Sequence, residues 1–216
     1  MEDQVKEKIK ELRRREREYF KNNEIQNIPD CIDFKELEII VKFKLALGSF
    51  RPGFWKRIEK NNTEDQLQDA STKAFLLLKK MHNNHHDSDD LNNIIDACKS
   101  LTSLHGIGFA TATFILSRYS ANVPLMTDEA LRWCKGLPIG AKITSYSEKD
   151  FHLLYSQLEK KVIELEDNQN SLHQKVDIRS AQEVVWASAV LEKMLISLEE
   201  NQSSSLGGRR KRKIDA

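Results

Sequence analysis

The chain has 216 residues, enough for one good core or two small lobes sharing one, and its 39% hydrophobic and 31% charged residues describe a soluble protein with a polar surface. No apolar run reaches the roughly 18 residues that span a bilayer, and Met1 opens a charged segment rather than a signal sequence, so a membrane protein is excluded and the chain reads as intracellular. Net charge is +1, yet five basic residues sit together in Arg209–Lys213; taking those five from +1 leaves −4 for everything else, so any nucleic-acid footprint on the body must be local.

In chain order, residues 2–23 place Val5, Ile9, Leu12, Tyr19 and Phe20 among interleaved charges. A solvated amphipathic helix packed by one stripe is a simpler reading of them than a nucleic-acid arm. Asn22 to Pro29 breaks it, so residues 1–32 form a charged helix and linker ahead of the main domain at 33–200. Cys31, Cys98 and Cys134 lie far apart, which suggests reduced buried thiols rather than a disulfide framework or a metal motif. Asp33 with Glu36 predicts a capping box before a helix that Gly48 ends, with Phe34, Leu37, Ile40, Val41, Lys44 and Leu45 on one face. Pro52 then starts a short helix in SFRPGFWKR, where Arg51, Phe54, Trp55 and Lys56 combine aromatic and basic character suited to a nucleic-acid backbone or base, although core anchoring is the plainer role.

Thr63 caps the next predicted helix, buried along Leu67, Ala70, Ala74, Phe75 and Leu78. A metal site could be drawn from His82, His85 and His86 in HNNHHDSDD, but adjacent ligands in a loose polar loop lack preset geometry, so a solvated loop is expected and no metal or cofactor is assigned. Ser88 caps a helix through Leu91, Ile94, Ile95, Cys98 and Leu101. It leads into LTSLHGIGFATATFILSRYSANVPLMTDEALRW, the most informative stretch of the chain.

There Gly106 and Gly108 permit a tight turn, and a closely packed helix follows through Phe109, Thr111, Ala112, Phe114, Ile115 and Leu116. Thr127 caps another helix with Asp128 and Glu129 in its first turn, which breaks at Gly136 and Pro138. Ser147 caps a long helix with Phe151, Leu154, Leu158, Val162 and Leu165 on one face, and Asp177 precedes a last one carrying Val185, Trp186, Ala189, Val190, Met194 and Leu195. Strand signals are nearly absent, so the fold class is all-α. Residues 201–216 turn to Ser, Gly and basic types and are expected to be disordered, with Arg209–Lys213 resembling a nuclear import signal.

A helix, a Gly-hydrophobic-Gly hairpin and a second helix aim backbone N–H groups outward at a helix N-terminus, which suits a phosphate and grips backbone rather than sequence. A helix-helix turn used for packing is the plain alternative. Asp128 and Glu129 at a helix start could likewise serve only the helix dipole.

Leu101, Leu104, Gly106, Ile107, Gly108, Thr111, Ala112 and Leu116, followed by Val123, Pro124 and Asp128, resemble the helix-hairpin-helix DNA glycosylase superfamily, which includes endonuclease III. The resemblance implies a helix-hairpin-helix glycosylase-like domain and a hairpin that binds DNA phosphate through Gly106, Ile107, Gly108 and Thr111. It carries the catalytic carboxylate over onto Asp128, 22 residues after Gly106 as in endonuclease III. A carboxylate there would stabilise the sugar cation that forms as a base leaves, or position the attacking water. The base must also be rotated into a pocket, for which Trp55, Phe109, Tyr119 and Trp133 are aromatic candidates, and Arg51, Lys56, Arg118 and Arg132 are candidate DNA contacts. Bifunctional members carry a hairpin lysine where this chain has Ala110, so Schiff-base lyase chemistry is not expected. The iron-sulfur cysteine cluster of some members is missing.

Lys44, Leu45, Gly48, Phe50, Arg51 and Pro52 further resemble the K-L-x-x-G-x-F-R-P element of a eukaryotic branch of helix-hairpin-helix proteins, and Val123, Pro124, Asp128 and Glu129 its V-P-x-x-x-D-E element. The expectation is a nuclear DNA-binding protein, acting as a monofunctional base-excision glycosylase or, alternatively, as a non-enzymatic DNA-binding or protein-interaction module that keeps the fold. The basic tail would add salt-dependent attraction to DNA.

Overall fold

The computed structural model describes residues 27–47, 51–83, 90–168 and 176–188. The segment 2–23, Gly48, the run 84–89 with Ser88, His85 and His86, the link 169–175 and everything from 189 onward, including the basic tail, lie outside the described residues. The described residues are all-α, without a strand among them. They form α1 (Phe34–Leu47), α2 (Phe54–Asn61), α3 (Glu64–Asn83), α4 (Asp90–Thr102), α5 (Phe109–Leu116), α6 (Asp128–Cys134) and α7 (Glu148–Asn168). A last helix, α8, is described over 178–188. No helix among the described residues is long and apolar enough to cross a membrane.

Side-chain caps set most helix starts. Thr63 Oγ1 accepts from the Gln66 N–H at 3.2 Å while Gln66 Oε1 accepts from the Thr63 N–H at 2.9 Å, a reciprocal box that satisfies two orphan donors of α3. Ser147 and Asp150 do the same for α7, at 3.2 and 3.0 Å. Thr127 Oγ1 accepts from Ala130 at the head of α6, and Asp177 Oδ1 from Ser180 at the head of α8.

At α1 the predicted box closes on one side only. Asp33 Oδ1 accepts from the Glu36 N–H at 2.7 Å, but the Glu36 carboxylate accepts from the Tyr119 hydroxyl at 2.6 Å instead of reaching back. Tyr119 is among the most deeply buried side chains, and a buried hydroxyl without a partner would cost more than an unfinished cap.

The core is built around α5. Thr111 through Leu116 are all buried, which is where a short helix apolar on every side has to go. α5 packs on α4 and on α1, α4 packs along α3, and α6 lies on α7. Phe43 faces Phe114 with ring centroids 6.1 Å apart, and Glu36 meets Tyr119, so α1 and α5 run antiparallel. The start of α5, with the hairpin before it, therefore lies toward the Lys44 end of α1. The aromatics considered as pocket linings contact the core: Tyr119 packs on Phe75 at 5.0 Å, Phe109 on Phe151 at 6.0 Å, Trp55 edge-on to Phe34 at 6.2 Å, and Trp133, partly buried, against the same core.

Candidate functional site

Two loops carry the residues singled out by sequence, and each ends in a helix N-terminus. The first is the turn from α4 to α5. Leu104 and Ile107 are buried and anchor it, with the Leu104 N–H bonded to the Leu101 carbonyl and the Ile107 N–H to the Leu104 carbonyl, both at 3.2 Å. Gly106 has φ +85°, and a Cβ there would meet Ile58 Cγ1 of α2 at 3.0 Å, so both conformation and packing require glycine. Asn62, just past the end of α2, pairs with the backbone of His105: its Oδ1 accepts from the His105 N–H at 2.7 Å, and its Nδ2 donates to the His105 carbonyl at 3.0 Å.

Gly108 is exposed and extended, and nothing lies within 4 Å of where its Cβ would be. Its carbonyl accepts from Thr111 and Ala112 at 2.8 and 2.9 Å, so the N–H groups of Phe109 and Ala110 precede the first bond of the helix ladder. Of the four expected phosphate contacts, Gly106 and Gly108 shape this turn. Ile107 and Thr111 point inward, Thr111 only 5% exposed and its N–H taken by Gly108, so neither presents its side chain to solvent.

The second loop runs from Ser117 to Thr127 and delivers Asp128. The buried Gln182 of α8 holds its middle: Oε1 accepts from the Leu125 N–H at 2.8 Å, and Nε2 donates to the Leu125 carbonyl at 2.6 Å. The Arg179 N–H donates to the Ala121 carbonyl at 3.1 Å, its guanidinium donates to the Ser117 carbonyl, and the Met126 N–H reaches Thr113 Oγ1 at 3.5 Å. These bonds satisfy a buried irregular backbone that has no ladder of its own.

Asp128 emerges 46% exposed at the first position of α6. Its Oδ1 accepts a hydrogen bond from the Tyr146 hydroxyl, and Arg132 Nη2 stands 3.5 Å from Oδ2. Arg132, with its side chain only 17% exposed, also donates from Nε to the Ala141 carbonyl at 2.8 Å and places Nη1 3.4 Å from Glu129 Oε1. Lys44 adds a further charge from the end of α1. Its ammonium is held below its ordinary value by burial first and then by the Arg51 guanidinium, against the opposing pull of the Asp128 carboxylate. Tyr146 is pushed up by burial, then by Asp128, while Arg51 and Arg132 oppose the shift. Lys44, Arg51, Asp128, Arg132 and Tyr146 thus share one electrostatic neighbourhood, and the two sequence elements read separately around Lys44–Pro52 and Val123–Glu129 meet there.

The hairpin borders the same end of the molecule. Phe109 packs on Phe151 at the start of α7, five residues past Tyr146, and Lys99 at the end of α4 pairs with Glu148 at 3.0 Å. The remaining candidates are elsewhere. Arg118 lies with Asp33, Lys35 and Glu36 on a cleft of about 310 Å³ at the opposite end of α1 from Lys44, and Lys56 is exposed on α2. A second cleft, of about 320 Å³, opens beside the hairpin between Asn62, Asp69 and His105.

Cys98 and Cys134 are poor nucleophiles: burial pushes the Cys98 thiol far up and, with a smaller opposing effect of Lys135, Cys134 up to about 11. Among the described residues, no group of three or more His, Cys, Asp or Glu is placed to hold a metal ion.

Tyr146, Asn62 and Gln182 escaped the sequence reading. Gln182 left a trace as the polar residue on the face shared by Ile178, Ala181 and Val185, and Asn62 as a C-terminal asparagine directly before the capping Thr63. Tyr146, a lone aromatic in TSYSE, left only its isolation. Compared with known proteins, the chain matches no family model, no curated protein and no solved structure.

Proposed function

We propose that this is a nuclear DNA-binding protein of the helix-hairpin-helix glycosylase type, with Asp128 as the carboxylate of a monofunctional base-excision reaction. The observation that carries the reading is the convergence at Asp128 of Lys44 and Arg51 from one sequence element with Arg132 from the next. Cations around a half-exposed carboxylate supply attraction for phosphates on either side of a target sugar. This also answers the acidic body, since the basic footprint needed is local. The Gly108 turn contributes outward N–H groups that suit a backbone phosphate, and Gly106 supplies the close packing beneath it. Asp128 stabilises the positive charge that develops on the sugar as the base departs. Ala110 in the hairpin provides no amine, so the product is an abasic site without strand cleavage.

The test is base release from lesion-bearing duplexes by the full chain, read as abasic sites. Wild type forms them and Asp128→Asn does not; product that survives this substitution removes Asp128 from the chemistry. A second reading, a DNA-binding module without catalysis, is favoured by the engagement of both Asp128 oxygens by Tyr146 and Arg132. Duplex binding that falls steeply with salt, weakens with Gly108 substituted and ignores Asp128→Asn would select it.

A further inference from the structure

Between α6 and α7 the chain runs without regular structure and returns across the head of α6. Two side-chain contacts fasten it there. Arg132 donates to the Ala141 carbonyl at 2.8 Å, and Tyr146 donates its hydroxyl to Asp128 Oδ1. The Asp128 carboxylate thus has a donor at each oxygen, Tyr146 on Oδ1 and Arg132 on Oδ2, while nearly half of the side chain stays open to solvent.

A carboxylate offers about four acceptor directions, so two donors can fix its plane and leave others free. Arg132 alone would fix it poorly, because its contacts to Asp128 and Glu129 are 3.5 and 3.4 Å long and its firm bond goes to Ala141. The phenol is the stronger restraint. Burial and the adjacent carboxylate both keep it protonated, hence always a donor.

We propose that Tyr146 is the positioning residue of Asp128: with Arg132 it locks the carboxylate in one orientation, leaving the solvent-open acceptor directions for a ligand. The assignment of that ligand as a deoxyribose cation rests on the reading of Asp128 given above. The contact itself does not. The charged groups that face the pair are Lys44 and Arg51 from the α1 side and Glu129 and Arg132 from α6.

Tyr146→Phe in the full chain keeps the ring and deletes the donor. Base excision should fall on the order of tenfold, the weight of one charge-assisted hydrogen bond. The fall should be carried by kcat, with KM and the folded circular-dichroism spectrum retained, since the lost bond orients the carboxylate and does not itself hold substrate. Full activity, or a loss carried by KM alone, would overturn the proposal. Should wild type release no base from any lesion duplex, the enzymatic reading fails, and the positioning role is then decided by the ring ¹³Cζ resonance of Tyr146. Its titration must shift to lower pH in Asp128→Asn; a titration indifferent to that substitution refutes the contact.

Discussion

The hairpin and the Asp128 loop solve one problem, the presentation of a helix N-terminus at the surface, with opposite means. The hairpin is shaped locally. Two buried apolar residues, a glycine in a left-handed conformation above Ile58, and one amide from Asn62 hold it, and the amide pair is solvent-exposed. The Asp128 loop has short turns of its own, the Val123 N–H to the Ser120 carbonyl at 3.4 Å and the Thr127 N–H to the Leu125 carbonyl at 2.9 Å, but its middle is held from a distance. Its course is fixed by Gln182 and Arg179, some 60 residues further along the chain, and the main clamp is buried. A turn shaped mainly by its own residues tolerates a weak clamp, whereas a loop whose middle is held from a distance leans more heavily on its partners.

The contrast orders the expected effects of breaking each device. Gln182→Leu should be the most damaging, because it leaves the buried N–H of Leu125 without a partner and takes one of two donors from its carbonyl, which keeps the Thr127 N–H, at about 3 kcal/mol. Urea unfolding would measure it, and a loss no larger than that at Asn62 would erase the distinction between the two clamps. Gly106→Ala should cost about 2 kcal/mol by the same assay, since φ +85° and the 3.0 Å approach to Ile58 both oppose a Cβ. Asn62→Ala should cost about 1 kcal/mol, as water can replace an exposed clamp.

One further effect depends on pH. Burial works against charge on Asp150, yet Lys135 at 2.5 Å and the Ser145 and Ser147 donors prevail and hold the carboxyl well below the usual range. A depressed folded-state value contributes stability that is complete above the unfolded value near ~4 and is lost as pH falls below it. Asp150→Asn should therefore flatten the acid limb of the stability curve, as followed by melting temperature between pH 5 and 2. The least costly change should be Gly108→Ala, below about 0.5 kcal/mol, because the backbone is extended and the Cβ enters open space. If duplex affinity nevertheless drops, what glycine serves at this position is the approach of a phosphate and not the fold.

The same division explains what could be read from sequence. Helix starts at Thr63, Thr127, Ser147 and Asp177 follow from capping chemistry that acts over three residues, and the apolar periodicity from Phe34 to Leu165 marks the buried faces. Glu36 escaped because a residue 83 positions away competes for it. Among the site candidates, Arg51, Asp128 and Arg132 meet, while Arg118 has its place at the other end of α1 and Thr111 is turned inward. No local pattern announces Tyr146, because its role depends on how a loop without repeating structure returns across α6.

The clamp on Leu125 has a consequence for the order in which the molecule is assembled. Contacts closing over 57 residues form after local ones, and a chain emerging during synthesis cannot make this one until Gln182 has appeared. The α4–α5 hairpin can take shape while α6 is still being added. Asp128 acquires its final setting only when α8 docks, so the turn is formed early and the carboxylate becomes fixed in place last.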